Sequence, residues 1–257
     1  MFSSWLAIPG AIAIGISLGL LGSGGSVLTV PVLVYLVGQD EKVAIAGSLF
    51  IVGSIAVAGS LQFLRAGLIR WDTVVMFGLP GMAGTWLGAV LAGKLAGITQ
   101  LLMFAIVMLV AAWLMLRPLD LELAGKTRRA SWKIGFDGLI VGVITGLVGV
   151  GGGFLIVPAL VLLGGLTMHQ AVATSLIVIA LKSFSGFYKY LSVLEQQGLE
   201  LDWQTLFLVT ALGIAGSFTG GYLAKITPQQ KLKTGFGYFL VAMGAFILMR
   251  TAPVVLA

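Results

Sequence analysis

Two glycine-rich stretches carry the residues of this 257-residue chain best suited to chemistry. The first holds Gly22, Ser23, Gly24, Gly25 and Ser26 and runs on to Pro31. The second holds Gly149, Gly151, Gly152 and Gly153 and runs on to Pro158. Glycine lets backbone approach a ligand closely, and amides left free at the start of a following helix favour an anion. Ser23, Ser26 and Thr29 add hydroxyl donors. Ser48 lies early in the apolar run after the first stretch, and Thr174 and Ser175 lie early in the run after the second. Lys182 sits in the middle of that second run. A lysine at mid-bilayer costs about 2.5–3.5 kcal/mol on insertion scales, which marks it as a candidate for function. Together these groups offer amides, hydroxyls and one ammonium: an anion-binding set.

Plainer roles stand beside that one. The glycines can serve as kinks or packing points, the hydroxyls can bond back to a carbonyl one turn earlier, and Lys182 can pair structurally or reach the interface. Other chemistries fit worse. A P-loop needs Gly-Lys-Ser/Thr at its end, and neither stretch has a lysine there. Val27 and Phe154 stand where a dinucleotide fingerprint needs its last glycine. Ser23 superficially resembles a reactive serine, but its counterpart in the second stretch is Val150 and the single His169 lies outside the apolar runs. The chain has no cysteine, one histidine and nine carboxylates, so neither a metal nor a cofactor is expected. The sequence reads as a non-enzyme.

The elements that must position these residues are apolar. Hydrophobic residues make up 59% and charged ones 9%, far from the roughly one quarter charged of a soluble domain. Lipid is therefore the expected solvent, and an all-α polytopic membrane protein the expected fold class. Six runs reach or approach spanning length, at about 43–64, 73–93, 97–117, 171–190, 204–224 and 233–250. Broken runs at about 6–37 and 134–165 precede each set of three. The net charge of +6 is spread thinly between runs, so orientation in the membrane explains it better than nucleic acid, which is not an expected partner. Trp5, Trp71, Trp132 and Trp203 fall at predicted span ends, as interfacial aromatics do. The N-terminal run lacks a basic region and a cleavage pattern, so it is retained as structure.

The chain also repeats itself. A shift of about 127 residues aligns Ala46-Gly47-Ser48-Leu49 with Ala173-Thr174-Ser175-Leu176, and one of about 132 aligns Trp71 with Trp203 and Gly81, Gly84, Gly88 with Gly213, Gly216, Gly220. These glycines place small residues on one helical face for close approach. The expected organisation is a first repeat over 1–117, a basic cytoplasmic connector over 118–133 and a second repeat over 134–257. Each repeat comprises a broken or re-entrant helix pair plus three spans. Lys and Arg distribute best if the halves are inverted and each broken pair turns back. Paired interruptions at matching points of two halves mark a transporter's site.

The doubled Gly-Leu-x-Gly-x-Gly-Gly-x-x-x-x-Val-Pro pattern, each copy followed by an Ala-x-Ser element, resembles the TauE/SafE family of anion transporters, also called the toluene sulfonate uptake permease family. The resemblance covers both halves. It implies export or uptake of sulfite, sulfoacetate or related sulfonates through a bacterial inner membrane. Gly47-Ser48 in the first copy against Thr174-Ser175 in the second makes any shared site asymmetric. The expected partners are a small inorganic or organic sulfur anion and the lipid bilayer, with a homodimer left open. An anion channel or a passive membrane subunit is the alternative function.

Overall fold

The computed structural model describes residues 4–117, 131–148 and 153–256. Helices follow one another throughout: α1 (Ser4–Leu21), α2 (Gly24–Pro31), a π-helical turn (Val32–Val37), α3 (Glu41–Leu64), α4 (Trp71–Ala92), α5 (Gly97–Leu116), α6 (Ser131–Val148), α7 (Gly153–Leu162), α8 (Met168–Gln197), α9 (Trp203–Ile226) and α10 (Gln229–Leu256). Six of them, α3, α4, α5, α8, α9 and α10, are long and apolar enough to cross a membrane. Their polar ends are capped from the side chains available there. Asp40 accepts from the Lys42 amide, Thr167 and Gln170 form a capping box, and Asp202 accepts from the Thr205 amide. The Thr205 hydroxyl, with that amide, holds the Asp202 carboxyl below its usual range. Trp71, Trp132 and Trp203 are exposed at the starts of α4, α6 and α9, as expected of interfacial anchors; the side chain of Trp5 is outside the described atoms.

Two details differ from the sequence expectation. The first interruption is narrower than Gly22–Ser26: only Gly22 and Ser23 leave the helix, and Gly24 already opens α2. Gly22 takes φ +71°, a left-handed conformation that glycine adopts without steric cost, and this makes the turn. Neither proline stops the helical course of the chain. Pro31 closes α2 and leads straight into the π-turn, while Pro158 lies inside α7. A missing proline N–H is absorbed in a membrane helix by local π adjustment and by neighbouring helices.

Glycine determines how the helices meet. The α1–α2 pair is an antiparallel hairpin, in which a Cβ on Gly25 would lie 2.7 Å from the Ile14 carbonyl and one on Gly24 2.8 Å from that of Ser17. Helices α4 and α6 run parallel in close backbone contact: Cβ atoms on Gly138, Gly142 and Gly146 would stand 2.4, 2.4 and 2.1 Å from the carbonyls of Phe77, Gly81 and Thr85. The α1–α9 pair repeats the arrangement, with Gly15 and Gly19 at 1.9 and 2.2 Å from the carbonyls of Gly213 and Ser217. Without a hydrophobic drive between helices in lipid, such van der Waals contact is what holds a bundle. Between them α3 and α8 cross antiparallel, with Gly53 against Ser183 and Gly186 against Leu49. Helices α5 and α10 pair antiparallel at the side, with Gly237 against Leu116 and Gly244 against Leu109.

The charged ends differ in balance, with Asp72 paired to Arg70 at the basic one and Lys94 and Arg250 at the acidic one. One end gathers Arg65, Arg70, Arg117, Lys133, Lys225, Lys231 and Lys233; it is tied together by Lys225 Nζ donating to the Gln62 carbonyl and Lys233 Nζ to that of Arg117. The other end gathers Asp40, Glu41, Glu195, Glu200 and Asp202. Lys126, Arg128 and Arg129 of the connector are outside the described residues.

Candidate functional site

The hairpin tip and the start of α7 meet inside the bundle. A Cβ on Gly153 would lie 2.9 Å from Ser26 Oγ, 3.0 Å from Ser23 Cβ and 2.8 Å from Ile179 Cδ1. Ser23, Ser26, Gly153 and Ile179 therefore form one junction among α2, α7 and α8, with both serines wholly buried. Gly149, Gly151 and Gly152 lie outside the described residues. Ser26 donates to the Ser23 carbonyl at 2.7 Å, and Thr29 bonds back to that of Gly25 at 2.6 Å.

Helix α8 runs past this junction and presents three residues on successive turns. Ser175 donates to the Gly22 carbonyl and to its own Val172 carbonyl, both at 2.9 Å, and so pins the hairpin tip. Ile179 closes over Gly153. Lys182, three residues further and so on the same side of the helix, has its aliphatic stem against Gly81 of α4, where a Cβ would meet Cδ at 3.1 Å. Its ammonium is fully buried, 5.6 Å from the centroid of the Phe77 ring, and has no hydrogen-bond partner among the described residues. Such a ring contact is worth up to about 2 kcal/mol, whereas burying an ion costs several. The balance is unfavourable for the charged form.

Position 182 need not be charged for the helices to pack. Ile55, at the matching point of the first half, lies against Gly213 as Lys182 lies against Gly81. The antiparallel crossing of α3 and α8 places these two residues at its centre, since Gly53 meets Ser183 there.

The other sequence candidates fall away from the junction. Gly24 and Gly25 face α1. Ser48 turns its hydroxyl back on the Ile45 carbonyl at 2.7 Å, and Thr174 accepts from the Arg70 amide at 3.1 Å. His169 occupies the first turn of α8, where the sequence suggested a solvated turn, and Nε2 meets the Thr227 carbonyl at 3.1 Å.

One buried polar group escaped the sequence reading. Lys42 Nζ donates to the Ala92 carbonyl at 2.7 Å and to Gln100 Oε1. Gln100 Nε2 donates to the Leu147 carbonyl at 2.7 Å and to the Tyr190 hydroxyl at 2.8 Å, and that hydroxyl donates to the Gly146 carbonyl at 3.2 Å. The network ties the last turn of α6 to α3, α5 and α8. A lone glutamine inside the apolar run 97–117 was the available signal.

A bundle that is all-helical among the described residues, with six membrane-length helices, defines a polytopic membrane protein. Known proteins agree. The family profile described as Sulfite exporter TauE/SafE matches residues 7–247. A "Probable membrane transporter protein" of Xylella fastidiosa is 30% identical, over 93% of this chain and 92% of its own. Similar proteins include the "Probable membrane transporter protein YunE" of Bacillus subtilis, 29% identical over 89% of this chain and 90% of its own. Another, in Methanocaldococcus jannaschii, is 26% identical over 96% and 98%. No solved structure matches. The chain belongs to the sulfite exporter TauE/SafE family and is a multi-pass cell-membrane protein of a transporter family, not of an enzyme class.

Proposed function

We propose that the protein carries sulfite or a small organosulfur anion such as a sulfonate across the membrane, by alternating access between two inverted repeats. The observation that carries the anion reading is Lys182, a fully buried ammonium without a hydrogen-bond partner among the described residues, one turn from the α2–α7 junction. Hydroxyls of Ser23 and Ser26, amides at the starts of α2 and α7 and this ammonium would together replace the anion's hydration. Ser175 would act by fixing Gly22, and Gly149, Gly151 and Gly152 would complete the second break. Ser48 and Thr174 would support the surrounding turns.

The repeats of this reading span 1–117 and 134–257, joined by the basic connector 118–133. Its support is an exchange rule in the packing: substituting each helix by its counterpart five places along turns α4–α6 into α9–α1 and α3–α9 into α8–α4. The self-paired helices, α3 with α8 and α5 with α10, cross antiparallel, as an axis in the membrane plane requires. With the basic end inside, a negative-inside potential favours anion exit by about 2.3 kcal/mol per charge per 100 mV, so export needs no coupling ion.

Three measurements test this. Anion uptake into proteoliposomes should saturate and be competed by sulfite; large single-channel currents would instead make the protein a channel. The native chain lacks cysteine, so single cysteines at Gln197 and Gln229 are clean probes of sidedness. They are expected to react from opposite sides, and reaction of both from one side would sink the inverted arrangement. Gly153→Ala crowds the ends of Ser26 and Ile179 most and Ser23 Cβ at 3.0 Å, side-chain atoms and no backbone, so folded protein should reach the membrane. Its flux should fall about tenfold or more, the equivalent of ~1.4 kcal/mol. Flux at the parent rate would remove the junction from the pathway.

A further inference from the structure

Helix α5 ends, and α10 begins, at the basic end of the bundle, and a cavity of about 350 Å³ lies between them. Its walls are Met115, Leu116 and Arg117 from the first helix and Gln230, Lys233, Thr234 and Tyr238 from the second. The two charged residues are cations, and among the described residues no carboxylate lines it. Lys233 is only 2% exposed, and its Nζ makes one hydrogen bond, to the Arg117 carbonyl at 3.1 Å. An ammonium has three protons to donate, so two are left for something else. The Arg117 guanidinium lies flat on Trp113, 3.4 Å from the ring centroid, which fixes its plane at the mouth of the cavity.

The fold does not require this polarity. The matching corner, 132 residues away along the repeat, presents Ile98, Leu101, Leu102 and Ile106 where this one has Gln230, Lys233, Thr234 and Tyr238, while Arg250 over Phe246 echoes Arg117 over Trp113. At these four positions one end of the helix pair is thus aliphatic, while the other has a buried lysine, two hydroxyls and an amide beside its arginine. Burying a cation with a single neutral partner is costly, and a permanent anion would relieve the cost.

We propose that this cavity binds a phosphodiester, that of an anionic membrane phospholipid such as phosphatidylglycerol. Arg117 and Lys233 would hold the phosphate, Thr234 and Gln230 would reach the headgroup, and Met115 and Leu116 would meet the first acyl carbons. Exposed Trp113 and Tyr238 mark the depth at which headgroups lie. The lipid source is favoured over a free anion because the cavity opens beside two lipid-facing helices at a membrane boundary, where basic pockets between helices recruit such headgroups. The site is separate from the α2–α7 junction, so it stands or falls independently of the transport reading.

The test is retention of phosphatidylglycerol by detergent-purified protein, read by native mass spectrometry, for the parent and for the double variant Lys233→Leu, Arg117→Met. Lys233→Leu installs the residue of the matching corner, Leu101, and Arg117 is an exposed residue at the helix end, so the variant should fold, and the Arg117 carbonyl is kept. At about 1 kcal/mol for each basic residue near an anionic surface, the variant should hold the lipid about thirtyfold more weakly. Phosphatidylcholine should not replace it. Equal retention by parent and variant overturns the proposal. Thermal stabilisation by inorganic phosphate alone, equal to that given by the lipid and lost in the double variant, overturns it in favour of a free-anion site.

Discussion

Replacing Lys182 by methionine is expected to abolish anion binding while leaving a folded protein that is at least as stable as the parent. Methionine keeps most of the stem volume against Gly81 and Phe77, and the position has an apolar precedent in Ile55. It also deletes a buried charge that has no hydrogen-bond partner among the described residues, which removes a cost of several kcal/mol from the unliganded state. Once an anion is bound, the same deletion leaves that anion buried without a counter-charge, at about 2–5 kcal/mol. Affinity should therefore drop by two orders of magnitude or more. The clean readout is linkage: excess sulfite should raise the unfolding temperature of the parent, by about 2.7 kcal/mol of stability at a hundred times Kd, and leave that of Lys182→Met unchanged. Lys182→Arg should regain part of the effect. Equal stabilisation of parent and methionine variant would assign Lys182 a structural role and confine the site to amides and hydroxyls.

The features that were legible in the sequence are those the bilayer enforces. A span must be long and apolar and a broken backbone must be buried, so the six membrane-length helices and two interruptions were readable from composition and glycine placement alone. The small-residue stripes on α4 and α9 were readable for the same reason. Their partners were not. Nothing local says that Gly84 meets α6 and not α3, because that choice depends on how distant helices pack. The Lys42–Gln100–Tyr190 network was hidden by distance, its members being 58 and 90 residues apart. Lys42 looked like part of a polar loop until the fold placed it beside the Ala92 carbonyl. Pro31 and Pro158 mark no break in the helical course, since proline's power to end a helix is weaker in a membrane than in water. Within the candidate site, residue type identified Ser23, Ser26, Gly153 and Lys182, but only the fold separates them from Gly24 and Gly25, which face α1.

Gly146→Val is expected to cost more stability than any change at the site. A Cβ at this position would lie 2.1 Å from the Thr85 carbonyl oxygen and 2.8 Å from its carbon, against about 3 Å for the closest real contacts. The obstacle is helical backbone, so no rotamer change relieves it; α4 and α6 must move apart by roughly 1 Å. Separation loosens Gly138, Gly142, Gly81, Gly84 and Gly88 together, because all six glycines share one contact line. It also strains the hydrogen bond from Tyr190 to the Gly146 carbonyl, and with it the network anchored on Lys42. Overpacking costs about 1–3 kcal/mol at an ordinary core position, and this one should exceed that range. Gly19→Val, 2.2 Å from the Ser217 carbonyl in the α1–α9 contact, should behave alike, and because the two contacts share no residues the losses should add. Monodisperse protein surviving a heat step in detergent gives the measure: each single variant should lose most of it and the double variant all of it. An unshifted unfolding temperature for Gly146→Val would mean that α4 and α6 do not approach backbone to backbone, and the bundle would have to be built differently.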